Sequence, residues 1–485
     1  YLVGAEKGPI AAYLSMDEII KLALDKQVDA IHPGYGFLSE NAEFATKVIK
    51  AGLIWVGPDP SVMGKVSDKV SARALATKLG LPVIPGTPGP VESVEQAIKF
   101  ANKAGYPVMV KAAHGGGGRG IRIVANDAEM RELLPLAQRE ALTAFGNDEC
   151  FIEKRVMQPK HLEVQILGDR HGNIVHLFER DCSIQRRHQK VIEIAPSLTL
   201  SPEKREQLCG MAVKFATAAG YQNAGTVEFL MDRSGDLYLI EMNTRIQVEH
   251  TVTEMATGVD LVQAQIRVAE GYKLSDPQTR MPSQKDLRLN GFAIQCRITT
   301  ENPAKNFTPD YGRITTYRSA AGWGIRLDGG SAFTGAVITP YYDSLLVKVT
   351  SFGHDFLEAA ARMNRALSEF RIRGIANNIP FVQNVLRHPA FLAGQCDTGF
   401  IEANPALFTW PEPRDRANKL LNFLGEITVN GNSIVGEGNK APANALTPMA
   451  PISLKLTLPA TPRSGDAAGK KHGIVTVTNG TKQIL

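Results

Sequence analysis

No apolar run in the chain approaches the roughly 20 residues needed to cross a bilayer, and no charged-then-apolar leader precedes the first helix. A membrane is therefore not an expected partner, and the chain reads as soluble and globular. Cysteine is scarce. The five residues at 150, 182, 209, 296 and 396 are odd in number and hold no Cys-x-x-Cys pair. That excludes a disulfide framework or structural zinc and points to a reducing compartment, the cytoplasm or alternatively the mitochondrial matrix. Lys and Arg form no block and the net charge is only +5, which argues against nucleic acid but leaves small anions open. There is no initiating methionine, and Tyr1-Leu2-Val3-Gly4 reads as the middle of a strand, so a piece of a longer protein is expected. What the chain does have is length. Its 485 residues, 44% of them hydrophobic, suffice for two or three cores.

The most informative stretch is Glu241-Met242-Asn243-Thr244-Arg245-Ile246-Gln247-Val248-Glu249-His250, a polar tail on the apolar run Leu237 to Ile240. Alternation puts Glu241 and Asn243 on one face of a strand. Gly225 to Met231 reads as its partner, with Asp232 to Asp236 as the turn. A hairpin centred between Ser234 and Gly235 sets Glu228 opposite Glu241, and facing carboxylates repel. A divalent cation held by Glu228 and Glu241, with the Asn243 carbonyl as third ligand, removes the conflict, and so few hard oxygens suit Mg²⁺ carrying phosphates. A solvated acidic hairpin paired to lysines is the alternative. Arg245, Gln247 and Glu249 would add a cation, an amide and a base.

Upstream, Ser15 and Glu18 have capping-box spacing, and helices and short strands alternate to Val56, as in a parallel α/β layer. The loop His32 to Asn41, just past the strand Val28 to Ile31, suits either a ligand loop or a plain turn. Asp68-Lys69 opens a helix. Prolines 82, 85, 88 and 90 mark a boundary before a helix from about Val94. Gly115, Gly116, Gly117 and Gly118 lie between strands 106–111 and 121–124. Without a following helix this is neither a Walker loop nor a dinucleotide fingerprint; a flap over phosphates and a flexible linker both fit. Residues 151–156 read as a strand leaving that flap, and 161–167 with 174–178 as a hairpin. If the segment from Glu179 to Lys190 is extended, Arg186, His188 and Lys190 share a face suited to an anion; a solvated basic edge is the alternative. Cys182 reads as a packed small hydrophobe. Ser201-Pro202 starts a helix to Gly220, Leu261 to Glu270 forms another, and residues 291–298 form a strand with Arg297 in apolar surroundings, paired structurally or functionally. His354 to Phe370 is a helix with Asp355 and Glu358 at capping-box spacing. Beyond Asn404 a short helix at 419–424 and a strand at 427–429 precede 441–471, which reads as linker.

Taken together, His32 to Asn41, the glycine loop, Arg180 to Lys190 and Glu241 to Glu249 stand in the order of the biotin carboxylase family, and the chain resembles that family from its start to about residue 403. The resemblance implies an α/β fold, in part α+β, of the ATP-grasp type: a truncated N-terminal layer over 1–84, a mobile glycine-loop lid over 85–155, a mixed C-terminal subdomain over 156–403, and a connecting segment over 404–485. It implies MgATP-dependent carboxylation of biotin by bicarbonate through carboxyphosphate, with Mn²⁺ able to replace Mg²⁺. Lys69, Lys111, Gly115 to Gly118, Glu153, Lys154, His161, Gln185 and His188 would bind ATP. Glu228, Glu241 and Asn243 would bind the metal, and Lys190, Arg245, Gln247 and Val248 bicarbonate. Glu249 would take its proton and Arg297 would stabilise the biotin enolate. Residues 326–330, 341–344 and 418–431 resemble the pyruvate carboxylase branch more than the acyl-CoA carboxylases. No Ala-Met-Lys-Met occurs, so biotin would arrive on a carrier domain outside this chain, with a carboxyltransferase domain and an assembly of like chains as further partners. A carboxylate-amine ligase is the rival within the ATP-grasp class.

Overall fold

The computed structural model describes residues 1–67, 69–112, 121–330, 332–410, 419–421, 423, 452–457 and 472–477. Two compact units emerge, 1–409 and 410–485. In the second, Ile452–Thr457 pairs antiparallel with His472–Val477. The first of these strands falls inside the stretch read as linker. The alternation Ile452, Leu454, Leu456 is a half-buried strand pattern that its Pro- and Ala-rich flanks obscured. The expected strand at 427–429 lies outside the described residues.

The first unit is organised by eight strands, every neighbouring pair antiparallel. Their order is Leu237–Asn243, Asn223–Met231, Lys160–Gly168, Ile174–Arg186, Gln189–Ala195, Phe292–Thr299, Leu345–Gly353 and Ile325–Gly329. Alternation gives this sheet two different faces. Leu162, Val164, Ile166, Val227 and Phe229 pack with Leu208, Ala212 and Phe215 of the helix Pro202–Ala219 in one core. Their sequence neighbours Glu163, Gln165, Thr226 and Glu228 are also buried, on the opposite face. That polar inner face is the floor of the site. The helix His250–Thr257, which the sequence reading missed, has seven of its eight residues buried, including Val252 and Ala256, which pack with Ala195 and Ala293.

A smaller sheet, ordered Ile121–Val124, Val108–Ala112, Cys150–Lys154, is covered by the helices Val94–Ala104 and Asp127–Phe145. At the N-terminus Ala30–Ile31 pairs parallel with Ile54–Trp55, which agrees with an α/β layer. Three expectations need correction. Tyr1 to Gly4 is not a strand: Gly4 sits at φ +64°, a Cβ there would collide with Ala12, and its amide bonds Glu18 (2.9 Å). The Ser15 box does not form either, because the Ser15 hydroxyl turns to the Ala11 carbonyl (2.9 Å). At the later box the Asp355 side chain does accept from the Glu358 amide, but Glu358 reaches back to the amide of His354. Ser201 caps its helix through the Lys204 amide (3.2 Å), and Gly220 ends it in the left-handed region.

Candidate active site

Glu249 is fully buried at the mouth of the helix His250–Thr257. One carboxylate oxygen accepts from Lys190 (2.7 Å), the other from Arg297 (2.9 Å). Burial raises the pKa of such a group, but the adjacent ammonium and guanidinium outweigh it and hold Glu249 well below the ordinary carboxylate range. Lys190 reaches three carboxylates: Glu163 (2.5 Å), Glu249 and Glu228 (3.2 Å). Burial opposes its charge, and those three neighbours nonetheless raise its pKa well above normal. Arg297 is held from the other side by Glu193 (2.6 Å), whose second oxygen accepts from Gln295 (2.9 Å). Its pKa rises too, burial being outweighed by Glu193 and Glu249.

At the far end, four residues lie side by side across four strands: Glu241 opposite Glu228, Glu228 opposite Glu163, Glu163 opposite Arg180. The predicted pairing of Glu228 with Glu241 is present, but by a different route. Near the turn the hairpin is in register about Ser234, and a bulge at Ile240 brings Glu241 across from Glu228. His161 meets Glu228 (2.7 Å) and accepts from the Gln185 amide at Nδ1 (2.5 Å), so Nε2 carries the proton toward the carboxylate. Burial pushes Glu228 up, yet Lys190 and His161 hold it far below the usual range. Asn243 turns its amide nitrogen to Glu228 (2.8 Å) and its oxygen to Arg245 (3.4 Å). The donor set fits a hard divalent cation. Buried Glu163, Glu193, Glu228 and Glu249 face the three permanent cations Arg180, Lys190 and Arg297, and half-buried Glu241 adds a further carboxylate at the Glu228 end.

Arg245 pairs with Glu40 (2.9 Å) and with the Gln247 oxygen (3.0 Å), and Glu40 also accepts from the Thr244 amide. The loop from His32 to Asn41 thus joins the site. Val248 lies half-buried beside them. A cleft is lined by Val83, Ile84, Phe151, Leu239 and Ile240, with Lys111, Arg73 and Glu153 as its charged wall. Glu153 takes Arg73 (3.0 Å) and Lys111 as ion-pair partners.

Other predicted residues are placed differently. The Lys154 ammonium is engaged by the carbonyls of Gly105 (2.5 Å) and Tyr106, and its amide donates to the Pro85 carbonyl (2.8 Å). Arg186, His188 and Lys190 do not share a strand face. Arg187 and His188 adopt φ +49° and +64° in a two-residue turn that pairs Gln185 with Lys190. Lys190 turns inward, Arg186 bonds Asn306 and lies over the ring of Phe307, and His188 stays exposed. Lys69 begins a helix, but its side chain, like Gly115 to Gly118, is outside the described residues. Sequence reasoning missed Glu163, Arg180 and Glu193. Arg180 is wholly buried on Glu163 (2.5 Å), Gln165, Thr253 and Thr226. The alternation of Glu163 and Gln165 between Leu162, Val164 and Ile166 was the available signal. Cys182 is buried and its thiol pushed up by burial, as befits a packed hydrophobe.

A large antiparallel sheet whose polar face carries paired carboxylates, beside a smaller sheet walling a lysine-lined cleft, defines an ATP-grasp protein. Family models match in chain order: the biotin carboxylase N-terminal domain over 1–63, the carbamoyl-phosphate synthase L chain ATP-binding domain over 68–277, and the biotin carboxylase C-terminal domain over 295–403. The biotin carboxylase domain of Hydrogenobacter thermophilus 2-oxoglutarate carboxylase, a dimer in complex with MgADP, ADP and bicarbonate, is 45% identical. It superposes with TM-score 0.80 over 85% of this chain and 89% of its own. The chain belongs to the biotin carboxylase family. Pyruvate carboxylase of Bacillus subtilis is 54% identical over 91% of this chain, and the human mitochondrial enzyme 54% over 93%. The chain spans 38% of the length of either.

Proposed function

We propose that this chain carries out the biotin carboxylase half-reaction of a pyruvate carboxylase, whose other domains pass the carboxyl group to pyruvate to give oxaloacetate. The observation that carries the reading is Glu249, a wholly buried carboxylate kept ionised between two cations. Bicarbonate is a poor nucleophile. In this reading Arg245 and Gln247 hold it, with Val248 alongside, while Lys190 bridges it toward the γ-phosphate of ATP. Glu249 takes its proton as its oxygen attacks phosphorus and ADP leaves. Carboxyphosphate then separates into CO₂ and phosphate, the phosphate removes the ureido N–H proton of biotin, and Arg297 stabilises the resulting oxyanion. Lys111, Glu153 and Lys154, with the glycine loop and Lys69, are assigned to the nucleotide, as are His161, Gln185 and His188. Glu228, Glu241 and Asn243 would hold Mg²⁺ or Mn²⁺, which shields the phosphate charge.

The 54% identity to pyruvate carboxylases supports pyruvate as final acceptor, and the partial span supports carrier and carboxyltransferase domains elsewhere in the protein. The dimeric Hydrogenobacter relative supports a homo-oligomer. Bacterial and mitochondrial relatives fit the cytoplasm, with the mitochondrial matrix as the alternative. The subdomain limits 1–84, 85–155, 156–403 and 404–485 belong to the same reading.

Phosphate release and carboxybiotin are to be measured in one tube. Cleavage of ATP that requires bicarbonate and produces carboxybiotin is expected; cleavage that instead requires an amine acceptor would replace the reading with a carboxylate-amine ligase. Glu249→Gln should abolish both outputs. Arg297→Ala should lower carboxybiotin formed per phosphate released by roughly a hundredfold, the scale of one lost transition-state charge partner.

A further inference from the structure

One charged group on the inner face has no place in that scheme. Lys348 stands directly across the ladder from Arg297 on the neighbouring strand, so the two side chains leave the sheet on the same face. Its residue is 4% exposed. Among the described residues its ammonium has no hydrogen-bond or ion-pair partner; it faces the ring of Tyr35 at 5.5 Å. Asp328 lies opposite Lys348 on the other side, yet both Asp328 oxygens are taken by Arg326 (2.8 and 2.9 Å), which also takes Glu254 (2.6 Å). Burial lowers the Lys348 pKa, with Asp328 opposing. A buried cation whose nearest carboxylates are occupied is costly, and it is kept where an anion comes and goes. Tyr35 belongs to the loop that reaches Arg245 through Glu40, and its hydroxyl feels the charge of Arg297 as well as burial. It lies against the Lys348 ammonium and, being 39% exposed, borders solvent.

We infer that Lys348 is a second cation for the acceptor half of the reaction, contacting the anion formed on the ureido group and then the carboxylate made from it. This rests on the function proposed above. The ureido nitrogen loses its proton to phosphate, its electron pair forms the N–C bond to CO₂, and one C=O π pair becomes the carboxylate charge. One negative charge thus moves outward by two bonds, from the ureido nitrogen to the new carboxylate oxygens. Arg297, already anchored by Glu193 and Glu249, can follow it less than an ammonium on a flexible stem.

The test uses the full chain with free biotin as acceptor and compares Lys348→Met, which keeps length and bulk, with Lys348→Arg. The Met variant should lower carboxybiotin formed per phosphate released at least tenfold, and Arg should restore part of that ratio. An unchanged ratio in Lys348→Met, or a fall in both outputs together that tracks a lowered melting temperature and is not rescued by Arg, overturns the assignment. If the unaltered chain shows no bicarbonate-dependent ATP cleavage, the proposed function itself fails and this assignment with it; if it does and the ratio holds, only Lys348 loses its role.

Discussion

At the scale of single residues, the site is a set of charges that only make sense together. Glu228, Glu163 and Glu241 stand in a row across three strands, and like charges directly opposite one another are destabilising. His161 and Lys190 offset part of this, and the cation fitted to Glu228 and Glu241 would offset more. Glu228→Gln and Glu241→Gln are therefore expected to raise the Mg²⁺ concentration for half-maximal ATP cleavage at least tenfold while changing the melting temperature little. Titration of Mg²⁺ beside thermal melts checks this; unchanged metal dependence in both variants rules the pair out as ligands. Glu193 has a different part. It fixes Arg297 and is itself fixed through Gln295, which accepts from Thr251 (2.5 Å), which in turn meets Thr350 (2.7 Å). Gln295→Leu should thus lower carboxybiotin per phosphate severalfold, and Gln295→Glu should not rescue it, since two carboxylates would then face each other.

At the scale of elements, what was legible in the sequence followed from local chemistry. Ser201-Pro202 with Gly220 delimited a helix because an N-cap, an N1 proline and a left-handed glycine act within one turn of the chain; Ser201→Ala should cost about 1 kcal/mol in urea unfolding. The facing of Glu228 and Glu241 was legible from alternation and a turn. What escaped was set by tertiary contacts. The bulge at Ile240 has no signature of its own; there Leu239 donates to the Pro82 carbonyl (2.8 Å), bridging to the proline-rich segment. The turn at Arg187-His188, both at positive φ, escaped because it lacks the Asn-Gly or Asp-Gly pair that marks a two-residue hairpin turn. The failed Ser15 box shows the reverse, a correct local pattern overridden when Gly4 and Lys7 claim Glu18.

At the scale of the whole molecule, burying so many ionisable groups makes stability depend on pH, and the histidines whose pKa burial lowers, His250 and His176 most of all, set the first step. His250 donates from Nδ1 to the Gln247 carbonyl (2.7 Å) and is pushed down to about 4, chiefly by burial and then by Lys348. Burial alone takes His176 down to about 4. A depressed histidine pKa means the unfolded chain binds the proton first. Between about pH 6.5 and 4 the unfolded state holds more protons than the folded one, so stability is complete above 6.5 and falls as the solution is acidified. Glu254, 3.7 Å from His250 and pushed up by burial, works in the opposite sense, losing stability as pH rises above the ordinary carboxylate value. The net slope is thus a poor measure, and the difference between wild type and His250→Asn is the useful one. From pH 6.5 to 4.5 wild type should lose roughly 2–3 kcal/mol more than the variant, the linkage energy of a histidine shifted that far. Urea unfolding at half-unit pH steps reads it directly. Parallel curves for the two proteins across that window would mean that His250 does not titrate as a buried group and that the acid loss there belongs to His176, since the window of a depressed carboxylate such as Glu249 opens only below the ordinary carboxylate value.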